Sequence, residues 1–520
     1  MPSPEELEEL SNAALWNLLP EVDGIEKCFT LREIGRRAFS RRDYAEALTM
    51  AIQSASLAEE IEDHRLAAEC RFNQAISNYQ AGDKPECIQA YELALEQYRI
   101  LGDQSAMSET LCRISDIQYE IQDYENCLKS ATNAYQLGLA EDDDWYVAFA
   151  AYYQGKANYK LGNLDLSLQN LETSRVSFRK QSELAKVAMV DDFAAEVQTK
   201  MGNHEAAVNL LRSCVHIANA TKDTEDDPYA MRRLGDALAR VGRFEEAHDF
   251  LERAQAEYRS RNYHRTYAYI SRDIADNLGE LGKYEESLIR FEQAQSLLDS
   301  LGDDHAVRYC KMRRSQLLHD MGDFLNAERL SRQVYVEVTN EGSFDDHGYV
   351  YWVGLHVADN LLELDRYQEL LDLTNELDDS RADASLHNLV WKKTLRARAL
   401  FALDKDIEAL SEAESALALT TNETLNPSTA YLYEIRALVE LSKGQEIGER
   451  DLAHAIAIHL AAGADNEARA LADYFLPKLN PELGKGLGAV DTAISAGELE
   501  DRRNSDENGK YQIGFHPTDE

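Results

Sequence analysis

A turn recurs along this chain every forty residues, and this spacing limits the fold more than any other feature. Arg42 and Gln122 occupy the two positions of the series that lack glycine. The other six positions are Gly82, Gly162, Gly202, Gly242, Gly282 and Gly322. A fixed period of about twenty to fifty residues is typical of solenoids, in which one supersecondary unit stacks on the next. The sequence therefore predicts one elongated array of repeats.

Two columns of small residues flank each turn and predict a pair of helices in every period. The seventh residue before the turn is small at Gly35, Ala75, Ser115, Gly155, Ala195, Gly235, Ala275 and Ser315. The fifth residue after it is small at Ala47, Cys87, Cys127, Ser167, Ala207, Ala247, Ser287 and Ala327. Apolar residues elsewhere in each period follow a 3.6-residue spacing, which is typical of helices. Small residues at matched positions let two antiparallel helices approach closely.

This pattern resembles the tetratricopeptide repeat. The resemblance is close at Gly155, Tyr159, Gly162, Ser167, Leu171 and Ser174, and it covers roughly residues 28–460. The forty-residue form is similar to the repeats of bacterial maltose-activator-type regulators, of peptide-sensing regulators of Gram-positive bacteria and of animal spindle-orientation scaffolds. The resemblance implies an all-α fold, a right-handed α-α superhelical solenoid of about eleven helix pairs.

We expect four segments along the chain. Residues 1–27 form an N-terminal cap, with an acidic helix over 4–18 that Ser3 caps. Residues 28–339 hold eight regular repeats. Residues 340–480 hold three degenerate repeats, with turns near Asp365, Asp404 and Gly444, and a capping helix over residues 466–479. Residues 481–520 form a flexible acidic tail, because they are charged and poor in large apolar residues.

A formal net charge of −40 limits the classes of partner. Binding to nucleic acid requires a basic surface that displaces counterions, so direct nucleic-acid binding is not expected. Anionic membrane surfaces are disfavoured for the same reason. The charge is explained either by a solvated exterior that keeps the array soluble or by a role as a decoy for basic proteins or a DNA mimic.

The seven cysteines indicate a reducing compartment. They contain no CxxC pair, and most occupy the repeat columns of small buried residues. The first residues lack the basic region and apolar core of a secretory signal, and no run of eighteen apolar residues occurs. We therefore expect a cytoplasmic protein with no membrane partner.

The motifs of common catalytic and metal sites are absent from the sequence. It contains no HExxH, no Gly-x-Ser-x-Gly and no phosphate-binding loop ending in Gly-Lys-Ser/Thr. His454 and His459 are five residues apart, which puts them off a common helix face. We predict no catalytic residues, no metal and no cofactor, and hence a protein that is not an enzyme.

The resemblance implies that the first helix of each repeat lines a concave groove, with positions two, five, nine and twelve of the repeat facing the ligand. Two patches in this groove are predicted to bind a partner. An aromatic run comprises Phe72, Tyr79, Tyr119, Phe149, Tyr152 and Tyr159. A Tyr/Arg stripe comprises Tyr229, Arg232, Arg233, Tyr269, Arg272, Tyr309 and Arg313. The stripe suits an extended peptide that carries carboxylates.

Ordinary structural roles compete with this interpretation. Arg232 and Arg272 each precede an aspartate by four residues and are placed to form ion pairs within one helix. The tyrosines of the aromatic run are also placed to pack between helices. The leading hypothesis is a non-enzymatic scaffold that binds a protein or peptide segment in its groove. The alternative is a peptide-sensing receptor whose superhelix tightens on a small effector. A homo-oligomer is left open.

Overall fold

The computed structural model describes residues 4–221, 227–340, 347–377, 386–420, 427–442 and 447–461. All regular structure in these ranges is helical. The chain divides into two compact units, Met1–Val241 and Gly242–Glu520, which we call the N-terminal and C-terminal units. None of the described helices is long and apolar enough to cross a membrane.

The N-terminal unit contains thirteen α-helices and one short 3₁₀ helix, Leu19–Glu21. The α-helices are α1 Pro4–Glu9, α2 Asn12–Leu18, α3 Gly24–Ser40, α4 Tyr44–Glu60, α5 His64–Gln80, α6 Lys84–Leu101, α7 Gln104–Glu120, α8 Tyr124–Ala140, α9 Asp144–Lys160, α10 Leu164–Lys180, α11 Leu184–Lys200, α12 His204–Thr221 and α13 Asp227–Arg240. Each helix from α3 to α12 packs against the next one along the chain.

The C-terminal unit continues the same alternation over eleven helices in its described ranges. They are α14 Phe244–Ser260, α15 His264–Glu280, α16 Tyr284–Ser300, α17 Asp304–Asp320, α18 Phe324–Asn340, α19 His347–Glu363, α20 Tyr367–Glu376, α21 Leu386–Ala402, α22 Asp406–Leu417, α23 Pro427–Ser442 and α24 Ile447–Ala461. In chain order, α3 to α24 amount to eleven helix pairs, which agrees with the predicted all-α repeat class.

The predicted turns adopt the left-handed backbone conformation that favours glycine. Gly162 has a φ of +83°, and Arg42 and Gln122 have φ values of +64° and +63°. Each ends a helix in a Schellman motif. At Arg42, for example, the amide of Asp43 donates to the carbonyl of Ala38 over 2.9 Å. The later turns predicted at Asp365 and Asp404 are present as well, with φ values of +58° and +59°.

The small-residue columns are buried at the helix–helix seams, as predicted. Gly155 and Ser167 show how close the backbones come, because the Ser167 hydroxyl donates to the Gly155 carbonyl over 2.7 Å. Ser287 donates to the carbonyl of Ala275 over 2.6 Å in the equivalent position. Larger apolar residues such as Leu171 fill the space one turn further on.

The N-terminal segment differs from the single helix predicted over residues 4–18. Helix α1 ends at Glu9, and Ser11 caps a separate helix α2 by accepting the amide of Ala14 over 3.2 Å. A serine oxygen satisfies an otherwise unpaired amide at a helix start, so Ser11 favours a new helix there. The Arg37 guanidinium holds the end of α1 by donating to the carbonyls of Leu7, Glu8 and Leu10.

Several expectations lie outside the described residues. They are the cap at Ser3, the turn near Gly444, the helix over 466–479 and the tail over 481–520. The four-segment division of the chain stays a prediction.

Candidate functional site

The first helix of each repeat presents one face that is only partly buried. We call this the first-helix face and define it by positions two, five, nine and twelve of the first helices. On α9 these positions are Phe149, Tyr152, Lys156 and Tyr159, and all but Tyr159 are partly exposed. Contacts join α7 to α9 and α9 to α11 in the N-terminal unit, and α15 to α17 in the C-terminal unit. Within each unit, neighbouring first helices therefore present adjoining surfaces.

A lysine ammonium lies near three tyrosine rings in the N-terminal unit. Lys156 Nζ lies 3.9 Å from the centroid of the Tyr119 ring, 5.4 Å from that of Tyr152 and 5.6 Å from that of Tyr153. We call these four residues the tyrosine–lysine cluster. A cation within about 6 Å of a ring centroid is attracted by the ring quadrupole. Burial lowers the pKa of the Lys156 ammonium, and Asp116 opposes that shift.

The predicted aromatic run divides between this cluster and the core. Phe72 packs on Tyr91 with ring centroids 4.9 Å apart, and Phe149 packs on the fully buried Phe178 at 5.0 Å. These two rings support the helix seams, as the packing interpretation expects. Tyr119 and Tyr152 contribute to the tyrosine–lysine cluster instead. The structure thus brings together only part of the run.

Tyrosine hydroxyls on this face donate to carboxylates of neighbouring first helices. Tyr79 on α5 donates to Glu120 on α7 over 2.8 Å, and this bond raises the pKa of Tyr79 to about 12. Tyr159 on α9 bonds Glu196 on α11, and burial and this carboxylate raise the pKa of Tyr159 to about 12. Each bond links one repeat to the next.

Asp116 lies next to the tyrosine–lysine cluster and is bonded by the hydroxyl of Tyr153. Burial raises the pKa of the Asp116 carboxyl, and the bond from Tyr153 and the charge of Lys156 act against that shift. The ammonium, the three rings and this carboxylate form one connected polar and aromatic surface on α7 and α9.

The Tyr/Arg stripe begins on α13, at the end of the N-terminal unit. Tyr229 is 45% exposed. Arg233 donates from Nε to Asp192 Oδ1 on α11 over 3.1 Å. Arg232 lies 3.9 Å from Asp236 on the same helix, which is the ion pair that the structural alternative predicted.

The other four stripe residues come together in the C-terminal unit. The Arg272 guanidinium lies between two rings, with its Cζ 5.1 Å from the centroid of Tyr269 and 4.9 Å from that of Tyr309. Tyr309 donates to Asp276 over 3.0 Å, and Arg313 donates to the second oxygen of the same carboxylate. We call Tyr269, Arg272, Tyr309 and Arg313 the arginine–tyrosine cluster.

Carboxylates of the protein itself pair with the arginines of this cluster. Arg272 does not pair along its helix with Asp276 as the structural alternative supposed, but donates to Asp273 over 2.8 Å. Burial disfavours the Arg272 charge, yet Asp273 raises the pKa of this guanidinium above its usual value. Asp276 does the same for Arg313. The cluster is therefore a neutralised, ordered surface rather than a concentration of positive charge.

Aromatic and amide side chains of α17, α19 and α21 also contact one another in the C-terminal unit. Gln316 on α17 is 3.2 Å from the Nε2 atom of His356 on α19. The His356 ring packs edge-to-face against Trp352 at 4.4 Å and Trp391 at 5.0 Å. Burial lowers the pKa of His356 to about 3, and the charges of His319 and Arg313 act in the same direction. This imidazole is therefore neutral near pH 7.

Sequence reasoning missed several residues on these faces. Lys156 was placed at position nine but not as part of a site, and Tyr153 lies at position six, outside the four predicted columns. His356 and Trp352 follow the loss of register after residue 340, so no column located them. Within the described residues, no group of three or more His, Cys, Asp and Glu is placed to hold a metal.

Comparison with known proteins finds no family for this chain and only distant similarity to solved structures. No protein-family model and no curated protein matches the sequence. Among solved structures, the apo form of RapI is similar over 52% of this chain and 99% of its own, with 13% identity and a TM-score of 0.40. A tetratricopeptide repeat protein from Parabacteroides merdae is similar over 55% and 98%, with 18% identity and a TM-score of 0.40.

The apo form of the quorum sensor NprR from B. thuringiensis is similar over 56% of this chain and 81% of its own, with 20% identity and a TM-score of 0.40. The identities and TM-scores are too low to transfer what any of these proteins binds.

Proposed function

We propose that this protein is a non-enzymatic scaffold that binds a protein or peptide segment along its first-helix face. The observation that carries the proposal is the order of that face. Its aromatic and charged side chains are partly exposed, yet bonds between neighbouring first helices hold many of them in place. A surface that is ordered before binding loses less side-chain entropy when a partner docks, which favours recognition.

The proposed contact residues lie in both units. In the N-terminal unit they are Tyr119 and Tyr152, and Tyr79 and Tyr159 lie on the same first-helix face. Phe72 and Phe149 support this surface by packing against rings of the core. The stripe residues Tyr229, Arg232 and Arg233 lie on α13 of the same unit. In the C-terminal unit the contacts are made by the arginine–tyrosine cluster. Arginine and tyrosine are enriched among residues that dominate binding energies.

The cysteines are not suited to act as catalytic nucleophiles. All seven cysteines are buried free thiols. Burial raises the pKa of Cys87, Cys127 and Cys310 to about 12. A catalytic cysteine needs a low pKa and access to substrate, since the thiolate is the nucleophile. Free buried thiols also fit a reducing compartment such as the cytoplasm, which is the location we propose.

A peptide-display selection against the whole protein tests the proposal. Peptides from an unbiased library are expected to bind and to slow hydrogen exchange in first helices such as α9, α15 and α17. Enrichment of no peptide, or protection confined to second helices such as α10 and α16, would refute it. Small-angle scattering of the complexes separates the two forms of the hypothesis. A scaffold keeps its dimensions, whereas the alternative peptide-sensing receptor becomes more compact with a short peptide.

For peptides that protect α15 and α17, Arg272→Ala is expected to weaken binding by at least about 1 kcal/mol, measured by calorimetry. The matched control is Arg259→Ala, which removes an exposed arginine near the end of α14. Equal affinities for the two variants would reduce Arg272 to a structural residue.

A further inference from the structure

One guanidinium in the C-terminal unit serves carboxyl groups of two other first helices. Arg398 on α21 pairs with Glu363 on α19, with its Nη2 atom 3.3 Å from Glu363 Oε1. Its Cζ atom lies 4.3 Å from the centroid of the Tyr431 ring on α23. Its charge also acts on the carboxyls of Asp359 on α19 and Glu434 on α23. Arg398 therefore joins three successive first helices.

Asp359 lies among charges of both signs. His319 and Asp320 face it from α17, Glu363 from its own helix and Arg398 from α21. Burial raises the pKa of the Asp359 carboxyl, and His319 and Arg398 oppose this shift. The negative charges of Glu363 and Asp320 add to it. The surroundings of Asp359 therefore favour its protonated form more than water does.

Glu434 is in a similar position on the other side of Arg398. Burial raises the pKa of the Glu434 carboxyl, and the charge of Arg398 opposes the shift. Within the described residues, neither Glu434 nor Asp359 forms an ion pair of its own, whereas Glu363 is paired directly. A guanidinium that is already paired with one carboxylate compensates the other two only in part.

The helices that carry these carboxyls are held together by polar and aromatic contacts. His319 Nδ1 on α17 lies 2.9 Å from Asn360 Oδ1 on α19. The His356 ring on α19 packs against the Trp391 ring on α21 at 5.0 Å. A charge on Asp359 therefore acts at the centre of a set of contacts that join α17, α19 and α21.

We infer that α19, α21 and α23 form a proton-sensitive element, whose helices pack together more stably when Asp359 and Glu434 are protonated. The element is a conformational device of the last three described repeats. It does not rest on the proposed function, because no ligand takes part in it.

The direction of the effect follows from the raised pKa values. Just above the ordinary pKa of a carboxyl group, the folded protein binds protons at Asp359 and Glu434 that the unfolded chain does not. Their contribution to stability is therefore largest at low pH and is lost as the pH rises through the raised pKa. Because His356 acts in the opposite direction, the test compares variants rather than the unsubstituted protein alone.

Tryptophan fluorescence can report on this part of the molecule alone. The chain contains four tryptophans, and two of them, Trp352 on α19 and Trp391 on α21, lie beside the element. Trp16→Phe combined with Trp145→Phe leaves these two as the reporters. Urea denaturation of this reporter protein at pH 7 and at pH 5 gives a midpoint at each pH.

Asp359→Asn removes the titrating group and nearly keeps its shape. Relative to the reporter protein, the midpoint of this variant should fall by at least about 0.3 M urea between pH 7 and pH 5. The reporter protein alone gains from protonation of Asp359. The control is Glu376→Gln, which replaces an exposed carboxylate of α20. The same relative midpoint at both pH values, or the same change in the control, would overturn the inference.

Arg398→Gln supplies an independent test, because it leaves the carboxylates without their shared cation. Its midpoint should be lowered at pH 7 and recover in part at pH 5, where protonation replaces the missing charge. A loss of equal size at both pH values would show that Arg398 acts only by packing on Tyr431, and would overturn the inference. These measurements need no peptide, so their failure would leave the proposed function standing, and an unsuccessful display selection would leave the proton-sensitive element standing.

Discussion

Single residues in the left-handed backbone conformation separate consecutive helices and recur about every twenty residues, twice in each forty-residue repeat. Besides the predicted turns, Glu62, Gly102, Asp142 and Ser182 have φ values of +59°, +70°, +56° and +61°. The residue that follows often caps the next helix, as Asp63 does by accepting the amide of Leu66 over 3.0 Å. A helix such as α4 has 17 residues, and three linking residues complete a spacing of twenty. Part of the acidic composition therefore serves helix capping.

The sequence pattern predicted only every second one of these left-handed turns. The first turn of each repeat is marked by a glycine column, whereas the second holds Glu62, Asp142 and Ser182 among its members. A non-glycine residue can adopt the left-handed conformation at a modest cost in free energy, so the second turn leaves no single residue type as its signal. The aspartate column beside it was the available clue.

Gln122→Gly is expected to stabilise the protein. Gln122 has a φ of +63°, where a side chain is strained and glycine is not. The gain should be about 0.5–1 kcal/mol, measured as slower hydrogen exchange in α7 and α8. Gly162→Ala makes the opposite change at a φ of +83° and should lower stability. A loss of stability in Gln122→Gly would contradict this account of the turns.

The neutral state of His356 makes stability depend on pH. Its pKa is lowered from 6.5 to about 3 in the folded protein. Between these two pH values the unfolded chain therefore binds a proton at His356 and the folded protein does not. This contribution to stability is fully present above about pH 6.5 and is lost as the pH falls towards 3.

His356→Gln should therefore reduce the loss of stability between pH 7 and pH 5 by about 2 kcal/mol. Hydrogen exchange in α19 at both pH values measures the effect. His305→Gln, which replaces an exposed histidine of α17, is the control. Identical pH dependence in both variants would show that His356 is not responsible.

At the scale of the helices, close packing depends on the small-residue columns. A Cβ atom at Gly155 would lie 2.7 Å from Leu171 Cγ and 3.3 Å from the carbonyl oxygen of Ser167. The first of these distances is shorter than real side chains tolerate, so α9 and α10 would have to separate. The column was visible in the sequence because the same small size recurs at each repeat.

Gly155→Ala is expected to destabilise the N-terminal unit by about 1–3 kcal/mol through overpacking. Chemical denaturation followed by circular dichroism measures the change. Leu171→Ala in the same chain frees space beside the new methyl group. The double variant should therefore cost less than the sum of the two single variants. Strict additivity would argue against a steric origin.

At the scale of the whole molecule, the described contacts join helices that are adjacent or nearly adjacent along the chain. Such an array has stability that is approximately a sum of repeat and neighbour terms. Perturbations should therefore remain local, in contrast to a globular domain with one shared core.

This locality can be tested within the N-terminal unit. Gly155→Ala should accelerate hydrogen exchange in α9 and α10 and, to a lesser degree, in α8 and α11. Helices α3 and α4 should keep their exchange rates. Equal acceleration in α3 and α4 would show that the unit unfolds as one cooperative body.

The sequence by itself determined the repeat class, the helix pairs, the first turn of each repeat and the buried role of the cysteines. These properties depend on local chemistry that recurs at a fixed period. Examples are the backbone conformation at Gly162 and the small residue size at Gly155. The four columns of the first-helix face were also predicted from the resemblance. The partners of each side chain on that face were not.

Tertiary structure decided which charges compensate one another. Asp276 on α15 accepts from Arg313 on α17. The Lys156 ammonium on α9 lies 3.9 Å from the centroid of the Tyr119 ring on α7. Such choices depend on distances of a few ångströms between side chains far apart in sequence, and electrostatic and cation–ring energies change steeply over that range. Repetition determines the position of each helix, whereas the residues that differ between repeats determine the chemistry of the surface.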